Sequence, residues 1–312
     1  MKGFLKSLLL KISPTYRKVG KISTQLDKIA NYILSTRIED VKVYINDYNY
    51  TSKHRDSLKN SKIGEIIEEW YINNKDEVID LIQKFCSFRK QYAKIPCNSL
   101  LNSVPNWDNG WLPPFDAISI YGFLAIRNPR YYVEVGSGNS TLFAAQAITD
   151  NNLRTKIISI DPFPRANIDK LCMEIFRVPF ENMDLDFFST LSYEDVLLID
   201  NSHRSFPNSD VTVFFTEVLP RLPSGLLYAL HDIFLPMDYP ATWSNTELRW
   251  YNEQYLLCAY IIGGASGDKI KCPNSFLCSK SDVFTACNSL WGDRELFEEK
   301  GFGGGFFWLE KA

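Results

Sequence analysis

The chain has 312 residues, of which 45% are hydrophobic and 23% charged, and its formal net charge is −3. That length accommodates one α/β domain of about 200 residues with a smaller helical region beside it. The mild acidity argues against a general nucleic-acid binder, which is normally basic with clustered Lys and Arg. The 7 cysteines are odd in number and hold no C-x-x-C pair, which favours reduced thiols in a cytoplasmic setting over a disulfide framework or a zinc site.

Residues 1–26 carry Lys2, Lys6, Lys11, Arg17, Lys18 and Lys21 and no acidic residue. Phe4, Leu5, Leu8, Leu9 and Ile12 recur at helical spacing among them. The apolar run is too short for a secretory signal, and no small-residue cleavage site follows. Two readings stand. A basic amphipathic helix would lie on an anionic membrane surface, placing the chain at the inner membrane face. An ordinary helix would pack on its own protein or on a second copy in a homo-oligomer. Ile22, Leu26, Ile29 and Ile33 then suggest a short coiled-coil-like helix. Residues 46–62 are polar and read as a loop. Residues 63–92 read as one or two helices, with Ile66, Ile67, Trp70 and Tyr71 on one side and Val78, Leu81, Ile82 and Phe85 on another. Residues 1–100 are accordingly expected to form a helical extension, and 101–312 the main domain. Between them 105–114 reads as an extended crossing, with Trp107 and Trp111 packed on the core or, as the alternative, stacking on a sugar. No run reaches the roughly eighteen apolar residues of a membrane-spanning helix.

The run 131–141, Tyr-Tyr-Val-Glu-Val-Gly-Ser-Gly-Asn-Ser-Thr, is the most informative. Its apolar start is a buried strand, Gly136 and Gly138 permit a sharp turn close to a ligand, and Asn139, Ser140 and Thr141 open a helix. A strand, a glycine turn and a helix N-terminus make a nucleotide site. The third glycine of a dinucleotide fingerprint is replaced by Thr141. Glu134, two residues before the first glycine, suits a ligand that presents a cation. Three further apolar strands follow: 157–161 ending in Asp161, 195–200 ending in Asp200, and 225–233 ending in His231 and Asp232. Ligands of open parallel sheets bind at the carboxyl ends of strands, so these residues form one coherent site. The stretches 275–278 and 304–310 read as the last two strands, an antiparallel edge with Gly303, Gly304 and Gly305 allowing the turn.

The E-x-G-x-G pattern resembles motif I of the S-adenosylmethionine-dependent methyltransferases with a Rossmann-like fold. The segments Ile-Asp-Asn-Ser-His-Arg at 199–204, Phe-Phe-Thr-Glu-Val-Leu-Pro at 214–220, His-Asp-Ile-Phe-Leu-Pro-Met-Asp-Tyr-Pro at 231–240 and Tyr-Asn-Glu-Gln-Tyr-Leu-Leu at 251–257 resemble bacterial class I methyltransferases often found with polysaccharide or glycolipid biosynthesis. Asn201 departs from them, where glycine is more common. The resemblance covers roughly residue 106 to the C-terminus. It implies a doubly wound sheet of seven strands with an antiparallel C-terminal edge. It also implies S-adenosylmethionine as cofactor, with Glu134 near the methionine ammonium and ribose, Asp161 on the ribose hydroxyls, and the backbone of Gly136, Ser137, Gly138 and Ser140 along the amino-acid part. Asp200 lies beside them.

His203 and His231 each follow a strand that feeds this site and neighbour a strand-terminal Asp, which would orient the ring and raise its basicity. The chain here is similar to the divalent-metal O-methyltransferases of the catechol type, whose slots match Asp200, His203 and the pair His231–Asp232. Histidine replaces both their lysine base and the first acid of their pair. The parallel implies a metal held by Asp200, His231 and Asp232, as Mg²⁺, Mn²⁺ or Fe²⁺, or a metal-free arrangement of the same groups. His203, with His231 and Asp232, is the candidate catalytic set, and His203 the candidate general base. The expected activity is O-methylation of a sugar or surface-glycan hydroxyl. A metal-dependent hydroxylase of the same fold and a non-catalytic scaffold in glycan assembly remain the alternatives.

Overall fold

Five short apolar strands pair in parallel: β1 (Tyr131–Val135), β2 (Lys156–Ile160), β3 (Glu174–Phe176), β4 (Val196–Ile199) and β5 (Leu227–Leu230). Two more, β6 (Lys269–Pro273) and β7 (Phe307–Glu310), complete a seven-stranded sheet of order β3-β2-β1-β4-β5-β7-β6, in which β7 runs antiparallel to both neighbours. Every residue of β4 and β5 is buried, as strands covered on both faces require. This is the Rossmann-like sheet with an antiparallel edge. The computed structural model describes residues 54–247, 249–291 and 303–312. The basic stripe of 1–26 and the pattern of Ile22 to Ile33 lie outside the described residues.

The five longest helices among the described residues are α1 (Lys62–Cys86), α2 (Pro114–Arg127), α3 (Asn139–Asn151), α4 (Glu253–Ile262) and α5 (Ser281–Trp291). In α1, Ile63, Ile67, Val78, Ile82 and Phe85 are buried. The helix leaves helical geometry at Asn74, whose side-chain amide donates to the Trp70 carbonyl at 2.7 Å. The Trp70 indole donates to the Ile270 carbonyl at 2.9 Å, so α1 covers the sheet's edge strand. Helix α2 starts on Pro114 and ends on Asn128 in the left-handed region at φ 46°. No helix among the described residues is long and apolar enough to cross a membrane. All seven cysteines are free thiols.

Two expectations need correction. The strand expected at 275–278 is the helical turn Asn274–Cys278, and the edge strand is Lys269–Pro273 just before it. Alternating Lys-Ile-Lys-Cys suits a half-exposed edge, whereas a short apolar run fits strand or buried helix equally. Trp107 is buried as expected, but Trp111 is 59% exposed.

Candidate active site

The parallel strands end level with one another. Val135 pairs with both Ile160 and Ile199, and Ile199 with Leu230, so Gly136, Asp161, Asp200 and His231 leave the sheet side by side. The ladder continues one step further, with Asp200 N–H donating to Val135 O at 2.8 Å and His231 N–H to Ile199 O at 2.9 Å. Strand order reverses between β1 and β4, and above this switch point lies a cavity of about 830 Å³. It is lined by nine of the ten residues expected from sequence, the exception being Glu134.

One half of the cavity is the glycine turn. Gly136 has φ 78°, and a Cβ there would lie 1.7 Å from the Asp200 carbonyl oxygen, so the turn packs directly on the end of β4. Gly138 is extended at φ 178°, and a Cβ would meet only Arg165 Cβ at 3.7 Å; it presents an open face to the cavity. Glu134 is wholly buried beneath this loop. It accepts from the Tyr132 hydroxyl at 2.9 Å and from the Thr141 hydroxyl, which itself accepts from Gly138 N–H at 3.0 Å. Burial pushes the Glu134 carboxyl up to about 7, against the hydroxyls of Ser140, Thr141 and Tyr132 that favour its charge. Asp161 accepts from the backbone N–H of Ser137 and of Phe163, each at 2.7 Å, and so fixes the loop while keeping lone pairs for a ligand. Trp111 also reaches this cavity, with the Arg165 guanidinium 4.5 Å from its ring centre.

The other half is a cluster of two histidines and four carboxylates. His203 is 4% exposed. Its Nδ1 lies 2.9 Å from Glu253 Oε2, and its Nε2 3.3 Å from Asp200 Oδ1 and 3.5 Å from Asp232 Oδ2. His231 places Nε2 3.2 Å from Asp116 Oδ2 and Nδ1 3.2 Å from Asp200 Oδ1. Asp116 and Glu253 are fully buried. Burial lowers the His203 pKa, yet Asp200, Glu253 and Asp232 outweigh it and lift the ring to about 10. His231 is held well above its ordinary value, where Asp200, Asp232 and Asp116 overcome burial. Burial also opposes charge on Asp200, but the two rings hold its carboxyl well below the usual carboxylate range. The surrounding carboxylates thus favour the imidazolium form of both rings. His203 and Asp232 are left-handed at φ 59° and 54°, costly backbone for non-glycine residues that concentrates at functional sites.

Asp200, His231 and Asp232 are thus brought together, as expected, but as ion pairs. Both nitrogens of each ring face carboxylates, and among the described residues no group of three or more His, Cys, Asp or Glu is disposed to hold a metal ion. The donor set does not fit a divalent cation as arranged. Two members of the cluster escaped sequence reasoning. Asp116 was legible only as a lone acid inside the apolar helix 114–127. Glu253 stands in a segment quoted for its resemblance, without a role.

Comparison with known proteins adds the following. Residues 133–233 match the family model described as a methyltransferase domain. An uncharacterised protein of Archaeoglobus fulgidus is 27% identical over 136 residues, which span 41% of this chain and 61% of that protein's length. The structure of the Podospora anserina methyltransferase PaMTH1 with bound S-adenosylhomocysteine is similar over 75% of this chain and 88% of its own, at 13% identity and a TM-score of 0.39. An O-methyltransferase from Bacillus cereus, also with S-adenosylhomocysteine, is similar over 78% of this chain and 100% of its own, at 12% identity and a TM-score of 0.36. The region that matches the methyltransferase domain model, 133–233, runs from within β1 to the residue after Asp232, and so contains both the glycine turn and the two site histidines.

Proposed function

We propose that the chain is an S-adenosylmethionine-dependent O-methyltransferase acting on a sugar or glycan hydroxyl. The observation that carries this reading is the open glycine turn at the switch point, facing a buried acid–histidine cluster across one cavity, with the turn and both site histidines inside the stretch 133–233 that matches the methyltransferase domain model. The open face of Gly138 fits the cofactor, because a side chain there would fill the space the ligand needs. Gly136, Ser137, Gly138 and Ser140 would hold its amino-acid end, and Asp161 its ribose. When bound, the sulfonium supplies an already activated methyl group.

The chain's own task is to orient a hydroxyl and take its proton. A sugar hydroxyl is a poor nucleophile at neutral pH, and a positioned base contributes roughly 10²–10⁴-fold. Glu253 on Nδ1 fixes the His203 ring, and Nε2 points to Asp200 and Asp232. The ring acts as base once its Nε2 proton has left to solvent, the form favoured toward alkaline pH, and Nε2 then receives the proton of the acceptor hydroxyl. Asp116 fixes His231 in the same way on the far side of Asp200.

Calorimetry with S-adenosylmethionine, combined with transfer of labelled methyl to a glycan extract, tests this reading. Saturable binding and label incorporation are expected. His203→Ala should lower turnover by roughly 10²-fold while cofactor affinity stays within about twofold. Absence of cofactor binding ends the reading.

A further inference from the structure

The rim of the same cavity carries Arg249, with Arg204 beside it behind Tyr251, and the planes of both are fixed before any ligand arrives. The Arg249 guanidinium lies 4.2 Å from the centre of the Trp243 ring, and Trp243 is itself stacked on Tyr239 at 6.0 Å and 25°. Its Nε is bound to Glu247 at 2.6 Å. The Arg204 guanidinium lies 5.0 Å from the Tyr251 ring, with Nε donating to the Arg249 carbonyl at 2.8 Å and Nη1 to the Ser202 carbonyl at 3.2 Å. Among the described residues Arg204 has no carboxylate in ion-pair reach, and the Nη edge of Arg249 makes no hydrogen bond.

Stacking and the Nε bonds orient both guanidinium groups and leave both Nη groups of Arg249 and Nη2 of Arg204 for a planar or tetrahedral oxyanion, of the kind arginine binds in carboxylate and phosphate recognition. The aromatic ring beside Arg204 is also the one beside the cluster: Tyr251 lies 4.5 Å from His203. Arg249, Trp243 and Tyr251 line the cavity together with His203 and Asp232. An anionic group held here would therefore sit about one aromatic ring away from the hydroxyl-handling residues. A neutral sugar would leave the Nη edge of Arg249 without a charged partner.

We propose that Arg249 and Arg204 form an anion subsite, and that the acceptor is a sugar carrying a phosphate or carboxylate group close to the hydroxyl that is methylated. This rests on the methyltransferase reading for which ligand it serves, but binding alone tests it.

The full chain is titrated with glucose 1-phosphate, glucuronic acid and methyl glucoside, with and without S-adenosylhomocysteine, by calorimetry. At least one anionic sugar should bind 10-fold or more tightly than methyl glucoside. Arg249→Ala and Arg204→Ala should each abolish that preference, Arg249→Lys should keep part of it, and S-adenosylhomocysteine affinity should be unchanged in all three. The arm that binds tells phosphate from carboxylate. Equal binding of charged and neutral sugars, or a preference that survives Arg249→Ala, overturns the subsite. Failure of S-adenosylhomocysteine to bind while the anion preference persists overturns the methyltransferase reading instead.

Discussion

At the scale of single residues, charge burial decides what the site does. Glu134 sits beneath the glycine loop with no solvent contact, and burial raises its carboxyl to about 7. Between its ordinary value of 4.5 and about 7 the folded chain keeps a proton there that the unfolded chain has released. The unfolded state then binds fewer protons, so stability of the cofactor-free protein should fall as pH rises through that window. A sulfonium ligand favours the ionised carboxylate, so its affinity should rise over the same window. Thermal melts and calorimetry between about pH 5 and pH 8 check both signs. Glu134→Gln should flatten both curves and weaken the cofactor at pH 8 by about 10-fold, a loss of roughly 1.4 kcal/mol. A variant that keeps the wild-type pH dependence would assign the effect to another group.

At the scale of elements, two glycines two residues apart have different tasks. Gly136 needs φ 78° and leaves no room for a methyl, because the Asp200 carbonyl lies 1.7 Å from where its Cβ would be. Gly136→Ala should disrupt the junction of β1 with β4, and the melt should show a large loss of stability. Gly138 has φ 178° and open space where a side chain would stand. Gly138→Ala should melt near wild type without cofactor, yet bind it at least 10-fold more weakly. Equal effects in both would show the open face is not where the ligand packs. Asp116 joins elements rather than shaping a turn. From α2 it accepts from Gly305 N–H at 2.7 Å and Phe306 N–H at 2.9 Å, from the Asn274 amide at 2.7 Å, and holds His231. Asp116→Ala removes one side of a buried charged network, and denaturant unfolding should show a loss of about 3–5 kcal/mol.

At the scale of the whole molecule, the site is assembled from separate stretches of chain. Asp116 comes from α2, Asp200 and His203 from the end of β4, His231 and Asp232 from the end of β5, and Glu253 from α4. The rings satisfy the carboxylates that a cation would otherwise bridge. Methyl transfer should therefore resist EDTA, measured as initial rate before and after chelation. Loss of activity restored by Mn²⁺ or Mg²⁺ would return Asp200, His231 and Asp232 to the role of ligand set.

The sequence by itself determined four parallel strands of the sheet and the level at which they end. Period, β-branched content and strand-terminal acids are local properties, so 131–135, 157–160, 196–199 and 227–230 were legible, and with them Gly136, Asp161, Asp200 and His231. The three-residue strand Glu174–Phe176 and the edge strand Lys269–Pro273 were too short or too polar for their pattern to speak. Only the tertiary structure decided that Glu134 lies under the loop rather than in the cavity, that Asp116 and Glu253 belong to the cluster, and that Arg249 and Arg204 stand at its rim. Asp116 meets His231 across 115 positions and Glu253 meets His203 across 50. No local pattern encodes a pairing of that separation, because what fixes it is burial. An acid carried into the core by an apolar helix must find a cationic or hydrogen-bonding partner there, and the fold alone determines which one is within reach.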